Sequence, residues 1–549
     1  MGPEFPDARY VGHRHAGLAT FQDLLEARLR QVVEFVLGMR EQVAPGHVDC
    51  PAEQEFGIEP RRLADRGQPL GGVSDSGIQF HVGVHSPKIS NVTFLRMNVY
   101  SNILDMVGQT PMLEVTHLDT GPCRLFLKLE LLNPGGSIKD RIGISMIQEA
   151  EKRGDIEPGD TIVEATAGNT GLGLALVAAQ KGYRLVIVLP DKMSQEKIFN
   201  LRAMGAEVIL TRSDVVRGHP EYYQDLGQRI AEERGAYFVN QFGNPDNPLA
   251  HETGTAPEII EQMDGDVDAI VLGVGSSGTV SGISKYLKDN DLAVDLILAD
   301  PEGSILTDYV NKGEIGQGGN WLVEGIGEDF IPDIADFDKV TKAYAISDAE
   351  SFATARELLR TEGVLAGSSS GTLLAAALKY CREQDQPKRV VTFACDTGNK
   401  YLSKLYNDFW LEDQGFISRE QQGDLRDLIG RPHGERATIT VGPTDLVTTA
   451  HNRLRNAGFS QLPVMEDGHL IGVITEDAII HFVYGHPDLL GAPVRDAMES
   501  AFIKLDKSET LNNLVAMLRV QPYAAIMDGD EFLGLITRSD VLNYLRRGA

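Results

Sequence analysis

The chain has 549 residues, a formal charge of −28, 42 % hydrophobic residues and 24 % charged residues. That length exceeds one ordinary domain and predicts two or three, each with enough apolar content for a buried core. The acidity argues against nucleic acid or an anionic membrane surface as the main partner, and no apolar run in the sequence approaches the ~20 residues that span a bilayer.

Four cysteines (Cys50, Cys123, Cys381, Cys395) without close spacing give neither a disulfide framework nor a metal-ligand pattern, and reduced structural thiols are expected. Residues 1–18 carry charges and histidines in place of an apolar leader, which predicts a cytoplasmic protein. Phe21, Leu25, Leu29, Val32, Val36 and Met39 recur at helical spacing and predict an amphipathic helix over 21–43. The stretch 44–86 is rich in Gly, Pro and charge and gives little periodic signal. Residues 1–95 thus read as an N-terminal extension without an assigned role.

Over 96–412 the pattern changes to short β-branched runs alternating with helices. Candidate buried strands begin at Thr161, Arg184, Ala206, Asp268, Leu296 and Val390, with helices such as 172–181 and 196–204 between them. Such alternation predicts parallel sheets covered on both faces, with ligands bound beyond the carboxyl ends of the strands. Residues 300–338 read as a long open stretch holding two Gly-rich turns, Asp300-Pro301-Glu302-Gly303-Ser304 and Glu324-Gly325-Ile326-Gly327-Glu328-Asp329-Phe330. A polar connector over 413–436 leads to an internal repeat in 437–549, where Ile471-Gly472-Val473-Ile474-Thr475 recurs as Leu533-Gly534-Leu535-Ile536-Thr537. Each copy reads as strand, helix, apolar turn segment, Gly-containing strand and final helix, and the pair is expected to pack about a pseudo-twofold axis.

Three turns carry candidate chemistry, each expected between a strand and a helix. Gly135-Gly136-Ser137-Ile138-Lys139-Asp140 puts Lys139 at a helix start, where its amine suits covalent work on an aldehyde. Released, that amine can also remove and return a proton, although a plain helix-capping lysine is the alternative. Thr166-Ala167-Gly168-Asn169-Thr170-Gly171 opens a helix whose free N–H groups suit a carboxylate or phosphate. In Gly275-Ser276-Ser277-Gly278-Thr279 the small residues admit a phosphate and the hydroxyls donate to it, although such a loop is often only a linker. A fourth segment, Gly367-Ser368-Ser369-Ser370-Gly371, also opens a helix.

Lysine, anion-binding turn and phosphate cradle together resemble the β-replacing pyridoxal-phosphate enzymes, which include cystathionine β-synthases and cysteine synthases. The resemblance runs over 103–410 and implies a fold type II core of two doubly wound parallel-sheet subdomains. It places the covalent cofactor link on Lys139 and the cofactor phosphate on Gly275, Ser276, Ser277, Gly278 and Thr279. Asn169 is implied at the ring hydroxyl, and Ser369, rather than Ser368 or Ser370, at the pyridine nitrogen. A neutral hydroxyl there stabilises a protonated ring less than a carboxylate would, favouring prompt loss of a β-group over transamination. The substrate carboxylate falls to Thr166, Ala167, Gly168 and Thr170, although many relatives carry Ser at the position of Ala167. The implied reaction joins serine and homocysteine to cystathionine and water, with hydrogen sulfide released where cysteine replaces serine. The runner-up is cysteine synthesis from O-acetylserine and sulfide. Gln109-Thr110-Pro111, Asn247-Pro248-Leu249-Ala250-His251 and the tail favour the former. Glu302, Glu328 and Asp329 suit a second amino acid's ammonium, or are solvated loop charges. Phe242 stands where animal relatives carry a tyrosine. Animal relatives also hold haem on an N-terminal Cys and His; the surroundings of Cys50, His81 and His85 do not match, so haem is not expected. The repeat resembles paired CBS domains, a Bateman module of tandem α/β units. In those modules a Thr or Ser and an Asp three residues on hold ribose hydroxyls. Thr537 and Asp540 match, whereas Ala478 follows Thr475, so at most one site suits S-adenosylmethionine or an adenine nucleotide. A dimerisation module without ligand is the plain alternative, and a homodimer through the core is implied.

Overall fold

The computed structural model describes residues 99–215 and 217–547. The helix expected over 21–43, Cys50, His81 and His85 lie outside them.

Two parallel sheets make up the catalytic half. The smaller contains Thr161–Ala165 (β3), Arg184–Pro190 (β4), Glu207–Thr211 (β5) and Tyr237–Phe238 (β6) in the order β5-β4-β3-β6. The larger contains Met112–Val115 (β1), Arg124–Lys128 (β2), Ala269–Gly273 (β7), Asp295–Pro301 (β8), Val340–Ile346 (β9) and Arg389–Phe393 (β10). Its order is β1-β2-β10-β7-β8-β9, with only β1 antiparallel to its neighbour. β4 is buried from Leu185 to Pro190 and β8 from Leu296 to Pro301, so neither alternates. Continuous burial of β-branched and Leu residues follows from helices on both faces. In the small sheet, Ile187 on one face clusters with Leu172 and Leu174, and Val163 and Val186 on the other cluster with Ile230.

Two expectations are corrected here. The Lys139 turn does not follow a strand directly, because a 3₁₀ turn, Glu130–Leu132, intervenes after β2. The stretch 300–338 is not wholly open, since Leu306–Lys312 forms a helix. Its apolar face is little more than Leu306 and Val310 one turn apart, too short a period to read in sequence.

In the repeat, Gln461–Glu466 (β11) pairs antiparallel with His469–Thr475 (β12). Lys504–Asp506 (β13), Tyr523–Asp528 (β14) and Glu531–Thr537 (β15) form the second copy. The same bulge falls at Val464/Met465 and at Ile526/Met527, and Leu470, Ala525 and Phe532 bury the seam between copies. The first strand expected in each copy forms only in the second; the first keeps a single bridge, Val441 to Val464. Ala525 N donates to Ile503 O in the second copy, whereas the residue at the matching position is Pro463, which has no N–H to donate.

Candidate active site

Between the two parallel sheets lies a cavity of about 830 Å³, lined by Ile138, Lys139, the Thr166 turn, the Gly275 turn and Ser369. Lys139 begins the helix Lys139–Arg153 and opens to the cavity alone. Burial holds its amine below the ordinary lysine range, with Cys395, Glu328 and Asp396 opposing that effect. Desolvation disfavours the ammonium, so the amine is biased toward the neutral, nucleophilic form. The helix behind it is anchored by Arg141, which donates to Glu130 and Glu258 at 2.8 Å each. Lys128 Nζ adds a contact to Glu258 at 2.7 Å.

β3 delivers the Thr166 turn, and the helix Asn169–Lys181 starts inside it. Gly168 has φ 118°, and a Cβ there would lie 2.8 Å from Lys197 Cδ, so only glycine lets the chain turn so tightly against that lysine. Thr166 Oγ1 accepts from Gly168 N at 3.1 Å. Thr170 Oγ1 donates to Gln241 Oε1 at 2.6 Å, and Gln241 Nε2 donates to Glu164 Oε1 at 3.1 Å. Asn169 is oriented from behind: Nδ2 donates to Asp396 Oδ2 at 2.7 Å, and Oδ1 accepts from Lys400 Nζ at 2.9 Å. An amide nitrogen carries two hydrogens, so one is left for a group in the cavity. Burial lowers the Lys400 ammonium to about 8.

The Gly275 turn leaves β7 and enters the helix Gly278–Asp289. A Cβ on Gly275 would sit 2.6 Å from Gly325 O, and one on Gly278 would sit 1.8 Å from Asn247 Oδ1. Ser277 has φ +64°, which curls successive N–H groups into a nest for an anion. Gly275, Ser276 and Thr279 line the cavity. The Ser277 hydroxyl instead donates to Ser276 O at 2.6 Å. The three serines at the start of Ser368–Arg382 also part ways: Ser368 Oγ accepts from Glu324 N, Ser370 Oγ accepts from Cys395 N, and Ser369 faces the cavity. Buried lysine, tight anion nest and opposing hydroxyl fit the aldehyde, phosphate and ring nitrogen of pyridoxal phosphate.

Several contributors escaped the sequence reading. Gln241, Glu164, Asn247, Asp396 and Lys400 hold the turns from behind, and Glu324 accepts from both Lys197 and Lys404 at 2.7 Å. The contacts that tie these residues to the turns cross 29 to 231 positions of chain, so no local signal marks them. Phe242 lines the wall and packs on Tyr223 and Phe330. Of the acidic loop residues, Glu302 is exposed, while Glu328 and Asp329 line the cavity.

A second cavity of about 830 Å³ lies among both repeat copies, the connector and the core helix Asp408–Asp413. Thr475, Thr537 and Asp540 line it. Thr537 N and Oγ1 donate to Asp540 Oδ2 at 2.7 and 2.6 Å, and Asp540 N donates back to Thr537 Oγ1 at 3.4 Å. That is a capping box on the last helix. In the first copy Thr475 Oγ1 caps Ala478 N alone, at 3.0 Å. Arg431 stacks on Phe409 of the core at 4.9 Å and on Phe459 of the repeat at 4.2 Å.

Residues 103–396 match the pyridoxal-phosphate dependent enzyme family, and 435–485 and 494–547 match the CBS domain. The chain is 36 % identical to cystathionine beta-synthase of Apis mellifera over 82 % of its own length and 91 % of the relative's. It is 34 % identical to that of Oryctolagus cuniculus over 92 % and 94 %. Among solved structures, it resembles the O-acetylserine dependent cystathionine beta-synthase of Helicobacter pylori at 39 % identity and TM-score 0.52, over 56 % of this chain and 99 % of the other. A hydrogen sulfide-producing enzyme of Fusobacterium nucleatum matches at 36 % identity and TM-score 0.52, over 55 % and 100 %.

Proposed function

Because the chain belongs to the pyridoxal-phosphate-dependent enzyme family and carries a CBS-domain pair, we propose that it catalyses β-replacement, joining L-serine and L-homocysteine into L-cystathionine and water. The supporting observation is the convergence of Lys139, the Thr166 turn, the Gly275 turn and Ser369 on one cavity.

Lys139 would hold the cofactor, with Gly275, Ser276 and Thr279 at its phosphate, Ser277 and Gly278 shaping that turn, Asn169 and Ser369 at its ring. Bound there, pyridoxal phosphate supplies an electron sink for a carbanion at the substrate Cα. The first amino acid's carboxylate meets the Thr166 hydroxyl and the N–H groups of Ala167 and Thr170, while Gly168 N, donating to Thr166 Oγ1, and the Thr170 hydroxyl, donating to Gln241, hold the turn in shape. Ala167 has no hydroxyl, so backbone donors carry more of that contact. Once free, Lys139 Nζ takes the Cα proton; its neutral bias under burial suits it to a base's work. The serine hydroxyl then departs as water with that proton, and the homocysteine sulfur bonds to Cβ while the thiol's proton returns by way of Lys139 Nζ to Cα. The sheets and Phe242 form part of the cavity wall, and where they keep water out each polar contact inside is strengthened.

In the tail, Asp540 and Thr537 would meet the ribose of an adenosyl ligand, S-adenosylmethionine or an adenine nucleotide, in the second cavity. A homodimer through the core is the expected assembly. Mass spectrometry of products tests the reaction: serine with homocysteine in one tube, O-acetylserine with sulfide in another. Cystathionine forms faster if the assignment holds; cysteine alone, without cystathionine, would make the chain a cysteine synthase.

A further inference from the structure

One carboxylate in the catalytic cavity has no use in the chemistry above. Glu328 lines the cavity, and its backbone is pinned on both sides. Its N–H donates to Ser304 Oγ at 3.1 Å, and its carbonyl accepts from Ile305 N at 3.0 Å. The turn presenting it passes close against the end of β8, since Gly327 has φ +87° and a Cβ there would lie 2.4 Å from Pro301 Cγ. Among the described residues its carboxylate accepts no hydrogen bond and forms no ion pair, while Asp329 and Asp300 add like charge around it. Burial and those neighbours hold the Glu328 carboxyl well above the ordinary range, opposed by Lys139 and Lys192.

The cations on the same walls are mostly committed. Lys197 and Lys404 both bind Glu324, and Arg212 binds Asp214. Lys139 belongs to the cofactor under the function proposed above. Lys192 alone of these lining cations is exposed without an ion pair, its Nζ 5.9 Å from the centroid of the Trp321 ring. Glu328 is therefore a carboxylate on the cavity wall without a counter-ion, beside the exposed Asp329, and Lys192 is an unpaired cation within its electrostatic reach. A carboxylate partly withdrawn from water without a partner is costly and is relieved by an arriving cation. An α-amino acid offers an ammonium and a carboxylate together, opposite in charge to the two members of this pair, and sulfide offers neither.

We propose that Glu328 and Lys192 form the receiving subsite for the thiol-bearing amino acid, Glu328 taking its α-ammonium and Lys192 its α-carboxylate. This rests on the β-replacement reading, and names the residues that select an amino-acid thiol over a bare one.

The test compares Glu328→Gln and Lys192→Met holoenzymes with wild type, using three nucleophiles: homocysteine, 3-aminopropane-1-thiol (no carboxylate) and 4-mercaptobutanoate (no ammonium). Glu328→Gln raises KM about ten- to a hundred-fold for the two thiols that carry an ammonium, the range for a charged hydrogen bond. It leaves KM for 4-mercaptobutanoate in place, with the effect on KM rather than kcat. Lys192→Met raises KM for the two thiols that carry a carboxylate. Melting temperatures check that both variants fold. A homocysteine KM within two-fold of wild type in Glu328→Gln overturns the proposal. So does an equal fall in kcat with all three thiols, which marks a proton-transfer role. Exchange of the serine α-hydrogen in deuterated water, measured on wild type, reads the first half alone. If serine shows none, its assignment as donor fails, and the same KM comparison with O-acetylserine as donor still decides the subsite.

Discussion

Glu164 sits in the middle of β3, fully buried, with its Oε2 unpartnered. Burial pushes its carboxyl from an ordinary 4.5 up to about 8, against the lowering effect of the Gln241 amide. The folded chain therefore keeps a proton that the unfolded chain releases. Its contribution is fully present below about 4.5 and is lost as pH rises through about 8. The slope is at most about 1.4 kcal/mol per pH unit, and the total on the order of 4–5 kcal/mol. Glu164→Gln keeps the size and removes the titration. Asp140, raised to about 7, and Asp300, raised to about 6, tilt wild type and variant alike, so only the difference between the two isolates Glu164. Urea unfolding of the cofactor-depleted proteins, followed from pH 5 to 9, should show the variant gaining on wild type by a few kcal/mol toward the alkaline end. Parallel stability curves would refute the reasoning, and with it the view that this carboxyl is neutral behind the Thr166 turn.

Gly278→Ala drives a Cβ into Asn247, whose Nδ2 holds Gln241 O at 2.7 Å and Ser276 Oγ at 3.0 Å. Overpacking of ~1–3 kcal/mol is expected, with loss of bound cofactor absorbance after gel filtration. Arg141→Met strands Glu130 and should cost ~3–5 kcal/mol in denaturant unfolding; adding Glu130→Gln should recover part of that, whereas strict additivity would deny the coupling. Arg431→Ala removes the stack joining Phe409 to Phe459, worth ~1–2 kcal/mol. Limited proteolysis in the exposed connector around Gln421 and Gln422 should quicken, and unchanged cleavage would show that the tail is held elsewhere.

The parts of this protein legible in its sequence are those whose physics is local. A helix start needs small residues and free N–H groups within five or six positions, so the turns at Thr166 and Gly275 read directly. Buried parallel strands declare themselves as unbroken apolar runs, as in β4 and β8. The repeat is visible because Gly472 and Gly534 recur in matched surroundings. Where a single side chain decides the matter, local reading stops. The three serines 368–370 are equivalent in sequence, and only the packing of Glu324 and Cys395 against two of them leaves Ser369 to the cavity. Pro463 breaks the symmetry of the repeat because of a donor needed by a strand more than twenty residues away. Glu328 and Lys192 stand over 130 positions apart: the sequence offers Glu328 only as one of three candidate acids with Glu302 and Asp329, and gives no sign of Lys192. Tertiary structure makes them a pair, because the fold sets both on the wall of one cavity, close enough for the charge of Lys192 to act on Glu328.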